Sequence, residues 1–246
     1  MDVLEPTGAQ RAARELVERL NLRAGRGDRP RVVAAMIAAA DGRATIDGRS
    51  VKLGHPEDRD LLRELRAGAD AVLVGSATLK AERYANLLDA DQRARRVAAG
   101  LPEHPVLATI DRAGRLRTAD VPVFGEPGVP VRVYREDPGG GLDDAAAELQ
   151  VVALGRGAVD FEAVLADLQD RDGVRGVSCE GGPKLLRELV AQGCLDDLLL
   201  TIAPLLAAGE EPSIVEGESF DAPIGLELVD LHRADNHLFL HYVPAS

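Results

Sequence analysis

Short, nearly continuous apolar runs alternate along the chain with segments in which apolar residues recur every three or four positions. The runs are rich in valine and bounded by glycine or charged residues, which predicts strands buried on both faces. Such runs occupy residues 31–39, 70–75, 105–110, 131–134, 150–154, 176–179 and 197–206. The periodic segments at residues 10–23 and 161–169 predict amphipathic helices. Further helices are predicted at residues 55–67, at residues 89–99 as an arginine-rich surface helix, and from Ser76 and Pro183 onward.

The C-terminal part of the chain follows a different pattern. Residues 226–231 and 237–243 alternate between apolar and polar positions around Asp235-Asn236, which predicts a hairpin. Helices placed between the earlier strands favour parallel pairing. We therefore expect an α/β fold, with a mostly parallel twisted sheet flanked by helices and an antiparallel C-terminal hairpin. Residues 1–28 are predicted to form an N-terminal helix and linker, and residues 29–246 the main domain.

Composition narrows the class of protein. With 246 residues, 46% of them hydrophobic, the chain can bury a large core. A formal net charge of −12 argues against a surface that binds nucleic acid or anionic membranes. Cys179 and Cys194 are too few for a disulfide framework, and neither a membrane-spanning apolar run nor a signal-peptide core is present in the sequence. The sequence predicts a cytoplasmic protein.

The strongest candidate for a ligand-binding site is the stretch 175–190, where a predicted strand leads through Gly181-Gly182 into a helix at Pro183. Glycines let a bulky ligand approach the backbone, and the unpaired N–H groups at a helix N-terminus attract phosphate. Glu180 would stand beside that phosphate, and Gly75-Ser76 repeats the strand–glycine–helix pattern. An ordinary strand-to-helix connection fits this stretch equally well.

Most familiar catalytic signatures are missing from the sequence. It contains no three-glycine dinucleotide fingerprint, P-loop, nucleophile-elbow serine or paired zinc histidines. His232, His237 and His241 cluster, but hairpin histidines are far more often solvated or packed than bound to metal, so no metal is expected. Cys179 lies in an apolar strand and is expected to be inert. Backbone amides, arginines, hydroxyls and carboxylates remain, which suits a phosphorylated ligand or a dinucleotide.

Several motifs, in the same order, resemble the reductase domain of bacterial riboflavin biosynthesis. They are Asp41-Gly42-Arg43-Ala44-Thr45 with Ser50, Glu57-Asp58-Arg59, the run 65–82, Glu180-Gly181-Gly182-Pro183-Lys184-Leu185, and the run 196–206. The resemblance implies a dihydrofolate-reductase-like fold, NADPH as cofactor, and reduction of the ribosyl group of 5-amino-6-(5-phosphoribosylamino)uracil to ribityl. The family's zinc-binding deaminase half is not expected in this chain, which resembles the stand-alone reductases. These are dimeric, and a homodimer is expected.

The resemblance also implies roles for individual residues. It places Ile37 and Ala38 along the nicotinamide, Thr78 and Glu82 on the cofactor, and the stretch from Gly182 to Glu188 around the cofactor phosphates. Cofactor contacts are thus expected at Gly181, Gly182, Pro183, Lys184 and Leu185. Ser50, Arg66 and Glu180 fall where the family holds its substrate, with Glu180 handling the proton or orienting the sugar hydroxyls. Without the resemblance, we would interpret Arg66 as a cation that stabilises the end of its helix, and Thr78 as a hydroxyl on a helix surface.

Arg112 is a further candidate, because Asp111-Arg112 directly follows the predicted strand 105–110. In the family the residue after that aspartate is a small hydroxyl at the adenosine end of the cofactor. An arginine can grip a 2′-phosphate bidentately, which would favour NADPH. The alternative is a solvated loop arginine.

The chain also departs from the family pattern. Ala39-Ala40 replaces Ser-Leu, Ala35 stands where related sequences carry lysine or asparagine, and Glu82 stands where aspartate is usual. The substrate-side arginine has no clear counterpart in residues 83–89. Two alternatives therefore stay open: a reductase of another pyrimidine or pteridine, and a non-catalytic nucleotide-binding module.

Overall fold

The computed structural model describes residues 13–25, 27–137 and 139–245. These residues form one nine-stranded sheet with helices on both sides. The strands are β1 (Arg31–Ala39), β2 (Ala71–Gly75), β3 (Val106–Ile110), β4 (Pro130–Arg135), β5 (Glu148–Ala153), β6 (Gly176–Cys179), β7 (Asp197–Ala203), β8 (Leu226–Ala234) and β9 (His237–Pro244). The α-helices are α1 (Ala13–Leu20), α2 (Pro56–Gly68), α3 (Ser76–Ala81), α4 (Ala90–Ala98), α5 (Phe161–Asp172) and α6 (Pro183–Ala191).

The strand order is β5-β4-β3-β2-β6-β1-β7-β9-β8. Every pair from β5 to β7 is parallel, and the β7–β9 and β9–β8 pairs are antiparallel. The expected mostly parallel sheet with a C-terminal antiparallel hairpin is therefore confirmed. The late strand β6 lies between β1 and β2, so residues that follow β6 stand beside those that follow β1 and β2.

Each face of the sheet is covered by an apolar layer. On one face, Val32 and Leu73 pack with Leu165 of α5 and Leu186 of α6. The opposite face is covered in two parts, one around Phe124 and one in which α1 and α2 pack on β1 and β9. Side chains alternate across a strand, so neighbouring residues of each buried strand enter opposite layers. Among the helices of the described ranges, none combines the length and apolar character needed to cross a membrane.

The N-terminal helix is packed tightly on the sheet. Its described part runs from Ala13 to Leu20, and residues 10–12 of the predicted helix lie outside the described residues. Val17 and Leu20 share an apolar cluster with Leu65 of α2. At the start of β6, a Cβ on Gly176 would lie 2.6 Å from the carbonyl oxygen of Leu22, so only glycine allows this close approach. The division of the chain at residue 28 stays a prediction.

Helix α4 differs from the expected arginine-rich surface helix. Arg96 is only 2% exposed. Its guanidinium donates to the carbonyl oxygens of Ala67 (2.9 Å), Ala69 (2.6 Å) and Pro102 (2.9 Å). Burial lowers the pKa of Arg96. The prediction is wrong for this face of α4, because the carbonyl groups at the end of α2 need donors and Arg96 supplies them.

Candidate active site

A cleft of about 300 Å³ lies over β1 and β7, beside the carboxyl ends of β2 and β6. Its floor is formed by Ala35 and Ile37 of β1 and their neighbours in register, Leu199 and Thr201 of β7. The walls come from α2, α3, the turn after β6 and two loops. Helices α2 and α3 contribute Asp58, Leu61, Leu62, Ala77, Thr78 and Ala81, the turn contributes Gly182 and Pro183, and the loops contribute Thr45, Gly48, Ser50, Glu211 and Pro212. Open α/β sheets bind ligands at the carboxyl ends of their strands, which is where this cleft lies.

The two predicted strand–glycine–helix turns lie against each other at the cleft. The amide of Gly75 donates to the carbonyl oxygen of Gly181 at 2.7 Å. Gly181 has a left-handed φ of 69°, and the Gly181–Gly182 peptide bond is cis. A Cβ on Gly181 would lie 2.9 Å from the sulfur of Met36, and one on Gly182 would lie 2.5 Å from the hydroxyl oxygen of Thr78. A side chain at either glycine would clash with these atoms, so glycine is needed for the turn to pack against β1 and α3 at the edge of the cleft.

Glu180, at the end of β6, is the centre of a buried polar cluster with Arg66 and Tyr84. The Arg66 guanidinium donates to both carboxylate oxygens, each at 2.7 Å, and the Tyr84 hydroxyl donates to the same carboxylate. The guanidinium carbon also lies 4.9 Å from the centroid of the Tyr84 ring. These contacts fix the orientation of the carboxylate at the cleft wall.

Tyr84 is the residue of this cluster to which the sequence assigned no role. It lies in the segment 83–89, where the family's arginine has no counterpart. Burial raises the pKa of Tyr84 well above its ordinary value, and the Glu180 charge raises it further. Burial alone would lower the pKa of Arg66, but the Glu180 charge raises it. Tyr84 therefore stays a hydrogen-bond donor and Arg66 stays charged.

Ser50 and Glu82 are joined to each other on another wall of the cleft. The backbone amide and hydroxyl of Ser50 donate to one Glu82 oxygen at 2.8 and 3.0 Å. The Arg49 guanidinium lies 3.6 Å from the other oxygen. A residue expected to bind substrate and one expected to bind cofactor thus form one unit, which ties the loop after β1 to the end of α3.

The other predicted site residues are distributed unevenly. Ile37, Thr78, Gly182, Pro183 and Glu180 line the cleft together. Ala38 and Leu185 are buried, and Lys184 is exposed on the first turn of α6. Arg112 lies at the end of β3, half-exposed, where it pairs with Glu136 at 2.9 Å. It is not among the residues that line the cleft.

Glu211 lines the cleft from the loop that follows β7, and no sequence pattern had indicated a role for it. It accepts a hydrogen bond from the hydroxyl of Thr45 and one from the amide of Gly48 at 3.3 Å. The Arg43 guanidinium donates to the backbone carbonyl of Glu211 at 2.6 Å. Two loops far apart in the chain are thereby held together at one side of the cleft.

The hairpin histidines pair with separate partners. His241 lies 2.8 Å from Asp197, His232 lies 3.0 Å from Asp230, and the ring of His237 lies 4.6 Å from that of His55. Within the described ranges, no group of three or more histidines, cysteines or acids could hold a metal ion. Burial raises the pKa of the Cys179 thiol to about 12, which keeps it protonated.

The fold and the cleft define an α/β protein with a cleft at the carboxyl ends of parallel strands, where open α/β sheets bind their ligands. The model of the RibD C-terminal domain matches residues 30–240, and the chain belongs to that family. The resemblance seen in the sequence is thereby confirmed.

Two archaeal relatives are named 2,5-diamino-6-ribosylamino-4(3H)-pyrimidinone 5′-phosphate reductase. The one from Archaeoglobus fulgidus is 27% identical over 82% of this chain and 93% of its own. The one from Methanothermobacter thermautotrophicus is 26% identical over 87% of this chain and 98% of its own. A pyrimidine reductase-like protein from Corynebacterium diphtheriae shares the fold, with a TM-score of 0.73 and 24% identity over 88% of this chain and 92% of that one.

Proposed function

We propose that the chain is an NADPH-dependent reductase that converts the ribosyl group of a phosphoribosylamino-pyrimidine to ribityl in riboflavin biosynthesis. Membership of the RibD C-terminal domain family and the names of the archaeal relatives support this proposal. The observation that carries it is the meeting of Ile37, Thr78, Gly182 and Glu180 around one cleft. The sequence favours a uracil ring in the substrate, whereas the relatives are named for a 2,5-diamino-pyrimidinone. The proposed place of action is the cytoplasm.

The cleft suits a bound nicotinamide cofactor, which would supply the hydride. Thr78 and the backbone of Gly182, which adjoin each other at the cleft wall, would hold the cofactor. Hydride transfer needs the donor and acceptor carbons held about 3–3.5 Å apart rather than a covalent residue. The apolar floor of Ala35 and Ile37 would exclude water from beneath the reacting groups. Glu180, held by Arg66 and Tyr84, would orient the sugar hydroxyls or handle the proton.

The test of this function is an assay of the purified chain with NADPH and each of the two pyrimidine nucleotides. We expect loss of nicotinamide absorbance and a product two mass units heavier than the substrate. Binding of NADPH without turnover of either nucleotide would favour the non-catalytic nucleotide-binding module. If neither nucleotide is turned over but another pyrimidine or a pteridine is, when added to the same assay, the result would favour a reductase of that other compound.

Replacing Arg112 with alanine tests the choice of NADPH over NADH. We expect NADPH binding to weaken by about 1.5–3 kcal/mol, the worth of a charged hydrogen bond, while NADH binding stays almost unchanged. Titration of cofactor fluorescence gives both dissociation constants. Arg115→Ala, an exposed arginine of the same loop, is the matched control. Equal losses for both cofactors, or none for either, would show that Arg112 does not bind the 2′-phosphate.

We also propose that the chain forms a homodimer through the β8 edge of the sheet. Leu226, Leu228 and Val229 on this edge strand are 43%, 49% and 55% exposed. An apolar edge of this kind is usually covered by a partner. Light scattering at micromolar concentration should give twice the 26.1 kDa monomer mass, and Leu228→Asp should shift the population toward monomer. A monomer alone in the unsubstituted protein would contradict the proposal.

A further inference from the structure

The carboxylate of Asp58, on α2, stands in the cleft at some distance from Glu180. Asp58, Leu62 and Arg66 follow one another at intervals of four residues, which places them in a row along one side of the helix. Arg66 holds Glu180 at one end of this row. A helix rises 1.5 Å per residue, so Asp58 lies roughly 12 Å further along the axis. Asp58 and Glu180 therefore stand at separate positions in the cleft.

Asp58 differs from the other acids of the cleft in its partners. Glu180 is held by Arg66 and Tyr84, Glu82 by Ser50, and Glu211 by Thr45 and Gly48. The side chain of Thr201, which is 3% exposed on the cleft floor, lies beside the carboxylate of Asp58. Since a carboxylate can accept about four hydrogen bonds, Asp58 keeps most of its acceptor capacity for a ligand.

The surroundings of Asp58 favour a ligand that donates hydrogen bonds. Ala35, Leu61, Leu62 and Leu199 line the cleft with it and offer no polar group from their side chains. Burial raises the pKa of Asp58, and the Thr201 hydroxyl with the more distant His237, His55 and Arg59 opposes that rise. A partly buried carboxylate in such a setting is stabilised by donors from the ligand.

We propose that Asp58, positioned by Thr201, binds the edge of the pyrimidine ring and selects a 2-amino-4-oxopyrimidine over a 2-oxo ring. The 2-amino ring presents N3–H and the amino group side by side, and a carboxylate can accept from both. A uracil ring presents N3–H between two carbonyl oxygens, so one carboxylate oxygen would face an acceptor. This inference rests on the proposed function in taking a pyrimidine as the ligand, and it assigns this chain the diamino-pyrimidinone nucleotide.

The test compares two free bases that differ only at C2, namely 2,6-diaminopyrimidin-4-one and 6-aminouracil. Calorimetry with the full chain in the presence of NADP⁺ should show binding of the 2-amino base about 10–100-fold tighter, the usual discrimination of a bidentate contact. Asp58→Asn should abolish or reverse this preference, because an amide can accept from N3–H and donate to a C2 carbonyl. Asp60→Asn, an exposed acid on the same helix, is the matched control and should keep it.

Equal binding of the two bases by the unsubstituted chain would overturn the inference, as would an unchanged preference in Asp58→Asn. The comparison in the unsubstituted chain needs no variant, so a poorly folded Asp58→Asn cannot obscure the answer. The proposed function fails separately. Preference for the 2-amino base without turnover of either nucleotide would refute the reductase and support Asp58 as the ring-binding residue. Equal turnover of both nucleotides would support the reductase and refute the ring selection by Asp58.

Discussion

Replacing Arg135 with methionine is expected to lower the free energy of unfolding by about 3–5 kcal/mol, because it leaves a buried carboxylate without its cation. Arg135 and Asp111 have side chains that are 1% and 2% exposed, and their closest atoms lie 2.9 Å apart. Arg135 also donates to the backbone carbonyls of Leu116 and Gly139, both at 2.9 Å. Asp111 accepts from the amides of Arg115 and Leu116. The Arg135–Asp111 pair thus holds the loop that follows β3 in place. Chemical denaturation of the variant and the unsubstituted protein measures the contribution of the pair to the free energy of unfolding.

The neighbouring pair of Arg112 and Glu136 supplies the matched control. It also joins the segments that follow β3 and β4, but its side chains are 50% and 30% exposed. Exposed ion pairs contribute about 0–1 kcal/mol, so Arg112→Met should change stability little. If the two substitutions lower the free energy of unfolding by the same amount, burial does not explain the contribution of the Arg135–Asp111 pair to stability.

Replacing Glu180 with glutamine should lower turnover about 100-fold or more while leaving the dissociation constant of NADPH near its original value. The expected loss is that of a positioned acid or base, and the carboxylate would act on the substrate sugar rather than on the cofactor phosphates. Steady-state kinetics give the turnover number, and a fluorescence titration gives NADPH affinity. Unchanged turnover would contradict the proposed role of Glu180.

A structural effect of Glu180→Gln must be separated from a chemical one. The substitution leaves the Arg66 charge without its carboxylate, so some loss of stability is expected. Tyr84→Phe removes one hydrogen bond to the same carboxylate but keeps its charge, and should reduce turnover far less. A comparable fall in both variants, together with equal losses in thermal stability, would indicate a packing role for the whole cluster.

Much of the architecture could be predicted because it depends on local patterns. The run 31–39 was predicted as a strand and β1 has those bounds, since a valine-rich apolar run between charged residues fits a strand buried on both faces. Asp235-Asn236 forms the two-residue connection between β8 and β9, as alternation around it indicated. Both strand–glycine–helix turns were also predictable, because glycine and proline act on their own stretch of backbone.

The contacts of the candidate site could be predicted only in part. Motif resemblance brought Glu180 and Arg66 to the same region, but not the bidentate pairing between them. Tyr84, which donates to Glu180 from 96 residues away, carried no signal of its own. Arg96 was expected on the surface because its helix is rich in arginine, and its burial depends on carbonyl groups of a separate helix.

By itself, the sequence determined which segments become strands and helices, where the glycine turns fall and which residues resemble a known reductase. Apolar periodicity and turn chemistry act over a few residues, so they can be interpreted without knowing what packs against them. The tertiary structure decided that β6 inserts between β1 and β2 and that Thr201 of β7 and Asp58 of α2 line the same cleft. Strand order and helix docking bring together side chains that no local pattern connects. The partners of Glu180 and Asp58 are therefore consequences of packing across the whole sheet.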